Sequence, residues 1–217
     1  MLDYVGELEP LLMLVLGWAM GLLSPTIVEK IRRRYKQRDL MNAVVDEFLG
    51  LQYTMTMVAW IHRARNAEVT DSFLDSIIPI IEQYKGPDRN EEMITAMKRS
   101  RERPEQDRIA HHKVMRKPES GLSVKQYALP LFVSQMADLS MCPIDFQRAV
   151  LNIRYHLDLY NQSIPLLQSL FDKTFASLTE ENLAIIRANI EQGYKDVGQR
   201  AEIIKNAISE LRMRFST

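Results

Sequence analysis

Apolar residues recur along the last third of the chain in steps of three and four. Phe146, Val150, Ile153, Leu157, Tyr160, Ile164, Leu167 and Phe171 share one helical stripe. Leu183, Ile186, Ile190, Tyr194, Val197, Ala201, Ile204, Ile208, Leu211 and Phe215 share another. A pair of successive four-residue steps around Ile190 would locally unwind a strict heptad. Thr179, followed by Glu180 and Glu181, suits the N-terminus of the second helix. Each helix would be about 50 Å long, and the short connection makes them an antiparallel hairpin. Ile190, Tyr194, Val197, Ile204, Ile208 and Leu211 form its seam, with Glu191 and Lys205 on the flanks.

The same periodicity predicts a helix over 39–65, through Met41, Val44, Phe48, Leu51, Met55 and Val58. Thr70 is placed to cap a short helix containing Phe73, Leu74, Ile77, Ile78 and Ile81, with Pro79 inside it as a kink or terminator. A further helical stretch is expected after Ser123, through Tyr127, Leu131, Phe132, Met136 and Leu139, interrupted by Pro130. Pro165 predicts a bend in the first long helix, or two helices in line, with Asn161 placed to bond the backbone that this proline frees. No run alternates apolar and polar positions as a strand requires.

The N-terminal pattern is different, because it has no polar face. From Pro10 to Val28 no residue is charged, and Lys30, Arg32, Arg33, Arg34, Lys36 and Arg38 follow at once. A helix of this length rises roughly 28 Å, close to the roughly 30 Å hydrocarbon core of a bilayer. Residues 10–29 therefore read as one transmembrane helix. The basic collar at 30–38 faces an acidic tail, Asp3, Glu7 and Glu9, and positive residues stay inside. The expected arrangement is a short extracytosolic tail (1–9), the span, the collar and a cytosolic helical domain (39–217), in the plasma membrane, the inner one of a bacterium. The collar also suits anionic lipid head groups. Gly17 and Gly21, with Ser24 nearly in line, would let a second helix backbone come close.

Composition narrows the function classes. The formal net charge is zero and the part after the collar is slightly acidic, which argues against a nucleic-acid binder. The single cysteine, Cys142, excludes an intrachain disulfide and a multi-cysteine zinc site. Residues 85–121 carry dense charge of both signs and read as a solvated, partly mobile insertion. Glycine-rich phosphate loops, GxSxG, HExxH and CxxC are all missing from the sequence. None of His62, His111, His112 and His156 has a glutamate three residues before it, and adjacent His111 and His112 point about 100° apart on a helix. No catalytic residue, metal or cofactor is expected.

The sequence thus predicts an all-α protein: one N-terminal transmembrane helix, then a cytosolic bundle with a long antiparallel C-terminal hairpin. The expected function is a membrane-anchored interaction or scaffold protein, acting through self-association or a partner along the helical seam. The alternatives are a membrane-acting sensor or effector, of stress or phage-defence type, and an enzyme with an unrecognised site.

Overall fold

The computed structural model describes residues 3–115, 124–176 and 179–215, with the side chains of 3–11, 19, 22–24 and 115 left outside the description. The described residues are helical, with no strand among them. Seven α-helices follow in order: α1 (Asp3–Arg65), α2 (Asp71–Gln83), α3 (Glu91–Glu102), α4 (Glu105–Met115), α5 (Pro130–Ser134), α6 (Ile144–Lys173) and α7 (Glu180–Phe215). A 3-10 helix, Met136–Met141, joins α5 to α6.

α7 is the central element, packed along both α1 and α6. Gln52 donates to Ser209 at 2.7 Å, and Arg65 pairs with Glu191, so α7 runs antiparallel to α1. Phe146 meets Phe215 edge-on at 5.3 Å between centroids, which sets α7 antiparallel to α6 as well. The seam residues Ile190, Tyr194, Val197, Ile204, Ile208 and Leu211 are all buried, together with Phe48 and Met55 of α1 and Phe146, Val150 and Ile153 of α6. The seam is therefore filled from within the chain. Phe171 departs from its stripe and is 41% exposed, because α6 runs on past the end of α1 and among the described residues no third helix covers it.

Helix ends follow local chemistry. Thr70 accepts from the Phe73 amide at 3.2 Å, and Thr179 from the Asn182 amide at 3.3 Å, as N-caps do. α1 stops in a Schellman turn: Glu68 N–H donates to Arg63 O (2.9 Å) and Ala67 N–H to Ala64 O (3.2 Å), with Ala67 left-handed at φ 56°.

Three expectations change. Pro130 does not interrupt a helix but begins one, since its missing N–H is harmless in a first turn, and residues 124–129 are non-helical. Glu47 of α1 caps this turn, accepting from the amides of Leu131 (2.9 Å) and Phe132 (2.7 Å). The charged segment at 85–121 holds two helices that bury Ile94, Met97 and Arg108, with 116–121 outside the described residues. Arg108 is buried because its guanidinium satisfies Val69 O (2.8 Å), Ser100 O (2.8 Å), Arg103 O (3.2 Å) and Asp71 Oδ1 (2.5 Å), joining the starts of α2 and α4 to the end of α3. Asn161 does not bond the backbone freed by Pro165. Its side chain grips Tyr127, donating to Tyr127 O (2.7 Å) and accepting from Tyr127 N–H (2.9 Å), while Gln126 donates to the freed Asn161 O at 3.0 Å.

Among the described residues no helix is long and apolar enough to cross a membrane. Several side chains of the 10–28 run, Ser24 among them, lie outside those residues.

Candidate functional site

α1 is a single helix of 63 residues with two unlike parts. From Leu40 onward it is core. Before that, its described apolar side chains lie exposed on every side of the helix: Leu14 is 72% exposed, Trp18 68%, Met20 70% and Val28 59%. Successive residues point about 100° apart, so exposure in the unbroken run Leu12 to Leu16 means that no face of this part is covered. A water-facing helix with one apolar stripe would look otherwise. A Cβ added at Gly17 or Gly21 would meet nothing within 4 Å, so both glycines leave the backbone open to approach. Lys30, Arg32, Arg33, Arg34, Lys36 and Arg38 are all exposed, and Arg33 lies 3.6 Å from Glu29 one turn back. The collar thus rings α1 between its exposed apolar part and its buried part.

The helical seam stands apart from this. Its six residues are all buried against the neighbouring helices. Lys205, expected on a flank, is buried at 4% exposure, and Glu191 is paired with Arg65. Lys205 follows Ile204 directly, yet the stripe at Ala201, Ile204 and Ile208 is wide enough to carry it inward, where α2 closes over it. Its Nζ donates to Ser76 Oγ at 3.3 Å and stands 5.8 Å from the Phe73 ring, whose other neighbour is Arg63 at 4.9 Å. Burial lowers the Lys205 pKa, offset in part by Glu202. Gln52, also buried, donates to Lys205 O (3.3 Å) and Ser209 Oγ (2.7 Å) and accepts from Arg212 (3.1 Å). These groups bond one another and tie α1 to α7.

Beside them is a cleft of about 440 Å³, lined by Asp46, Gly50, Gln83, Tyr84, Lys85 and Arg212. Arg212 donates to Gln83 Oε1 at 3.2 Å. Tyr84 is stacked on Tyr53 at 4.1 Å, and burial and the adjacent Asp88 carboxylate push its pKa up to about 12. A phenol so held stays protonated at neutral pH and forms a fixed wall. Cys142 is buried and its thiol pKa is raised by that burial, which suppresses the nucleophilic thiolate. His111 and His112 have ring centroids 5.8 Å apart, and His112 meets Trp60 edge-on. No group of three His, Cys, Asp or Glu able to hold a metal forms among the described residues.

The sequence reading missed Gly198 and Gly193, where α7 approaches its two neighbours. A Cβ at Gly198 would fall 2.1 Å from His62 Cγ of α1, and one at Gly193 would fall 2.5 Å from Leu167 Cδ2 of α6. Glycine five residues apart in a helix rich in good helix formers was the available signal.

No family model, no curated protein and no solved structure matches this chain.

Proposed function

We propose that the chain is a single-span membrane protein whose helical domain, held on the cytosolic side, works as an interaction or scaffold module. One observation carries this reading: α1 exposes apolar side chains on all faces before the collar and buries one face after it, within one unbroken helix. Apolar surface of that kind is costly in water, at about 25 cal/mol per Å², and a bilayer removes the cost on every face at once. The six bases of the collar favour the domain's side as the inner one.

The association surface is assigned differently from the sequence expectation, because the seam is consumed inside the chain. Self-association or partner binding then uses the open Gly17 and Gly21 backbone and the far end of the α6–α7 hairpin, where Phe171, Phe175 and Ile185 are exposed. Native mass measurement of the full chain in nanodiscs, with cross-linking in cells, tests this. An oligomer or a cross-linked partner is expected, and Gly17→Ile with Gly21→Ile should weaken it. A strict monomer that cross-links to nothing would contradict the interaction reading.

The sensor reading has one observation in its favour. α1 runs without a break from the core contact of His62 with Gly198 to the apolar segment, so a change at that contact has a rigid route to the bilayer.

A further inference from the structure

The corner formed by α5, the 3-10 helix and the start of α6 is the part of the domain nearest to the apolar segment of α1. Leu131, Gln135, Asp138 and Met141 line a hollow with Lys36, Asp39, Leu40 and Ala43. Lys36 belongs to the collar, and it lies about 10 Å beyond Glu29 along the helix at 1.5 Å per residue. The head-group layer itself extends about 5–7 Å beyond the hydrocarbon core. The corner therefore begins about 3–5 Å beyond the head-group layer, within the reach of an extended methionine side chain.

Five large apolar side chains stand exposed on its surface among Ser134, Gln135, Asp138, Ser140 and Asp145. Val133 is 54% exposed, Ile144 57%, Leu131 39%, Met136 38% and Met141 38%. The charges on the corner itself are Asp138, Asp145 and Arg148, the last two 3.9 Å apart, and the collar supplies further bases beside it. The corner is also fixed firmly to α1: Glu47 holds the first turn of α5, and Phe132 inserts beside Phe48 at 6.0 Å between centroids. Methionine and branched aliphatic side chains at this height, next to a ring of Lys and Arg, match the two layers of a bilayer surface, the bases meeting phosphates and the apolar tips entering between them.

We propose that this corner is a second membrane contact, resting on the inner leaflet and holding the domain at one orientation against the bilayer. It rests on the membrane-span reading above. With two contacts, span and corner, tilting of the domain relative to the bilayer is restrained. The face presented to other proteins is then the far hairpin end.

The test uses the full chain in nanodiscs of phosphatidylcholine with phosphatidylglycerol, in a Cys142→Ala background, carrying one environment-sensitive fluorophore at a time. The positions are Met136→Cys, Val133→Cys, Leu14→Cys and Val114→Cys, the last on α4 and 83% exposed. Each labelled protein is first matched to the parent in helicity and melting temperature. A nitroxide on the lipid head group should quench the label at 136 or 133 strongly and leave 114 unquenched. A mid-chain nitroxide should quench the label at 14. Quenching at 14 without quenching at either 136 or 133 would overturn the corner contact and leave the span intact, also if a second copy shields those labels from water. Loss of quenching at 14 would overturn the span reading itself.

Discussion

The ring of His62 in α1 sits directly against the backbone of Gly198 in α7, so close that a Cβ at that glycine would lie 2.1 Å from His62 Cγ. No side chain fits between the two helices at this point. Asn66 Nδ2 lies 2.9 Å from His62 Nε2, a contact that holds the ring in place. Nδ1 is buried and has no hydrogen-bond partner among the described residues.

Gly198→Ala should therefore destabilise the domain by about 2–3 kcal/mol, since an aromatic ring held by its own bond cannot step aside. Gly193→Ala should cost about 1 kcal/mol or less, because its neighbour is the flexible tip of Leu167. Denaturant melts of the two variants check the difference. Equal costs would mean that α7 does not approach α1 more closely than α6 there.

Stability should fall on mild acidification through His62. Burial holds its pKa below the ordinary 6.5, and Arg63 and Lys195 add to this while Glu68 and Glu202 oppose it. The unfolded chain therefore takes up the proton first. The contribution is fully present above pH 6.5 and is lost as pH falls through the lower folded value. His112, lowered chiefly by burial, acts with the same sign. His62→Phe should flatten the melting temperature against pH just below 6.5, and His62→Phe with His112→Phe should flatten it further; an unchanged slope would reject the assignment.

Asn161→Ala removes both bonds to the Tyr127 backbone and should cost about 2 kcal/mol. Gln126→Ala should cost under about 1 kcal/mol, because water can reach the Asn161 carbonyl that it exposes. Limited proteolysis in the 124–129 segment gives a second readout, rising in Asn161→Ala before the rest of the domain is cut.

Lys205→Met should leave stability unchanged or raise it by up to about 2 kcal/mol, as it replaces a buried ammonium held by one hydroxyl with an apolar chain of similar length. A loss of more than about 2 kcal/mol would show that the ammonium has partners beyond Ser76 and Phe73.

The long helices were legible in the sequence because their periodicity is local: from Ile190 to Leu211 the residues that the steps of three and four pick out in α7 are buried, while Leu183, Ile186 and Phe215 at its ends are partly so. The N-caps at Thr70 and Thr179 were legible for the same reason. What could not be read depends on residues far apart in the chain. Lys205 is inside because α2 lies over it, 129 residues away at Ser76. Asn161 serves Tyr127 in place of its own helix because the 124–129 segment returns across α6. Arg108 looked like one charge among many, and only the meeting of α2, α3 and α4 turns it into their shared bond. At the N-terminus the apolar run and collar were plain in the sequence, and the described side chains of both stand exposed.

The most direct measurement is labelling by a membrane-impermeant maleimide in intact and opened cells, with single cysteines at Leu14 and Val114 in the Cys142→Ala background. Val114→Cys should react only after the inner membrane is opened, and Leu14→Cys should stay unreactive until detergent is added. Labelling of Val114→Cys in intact cells would reverse the orientation, and rapid labelling of Leu14→Cys in opened cells without detergent would contradict a bilayer around the apolar part of α1.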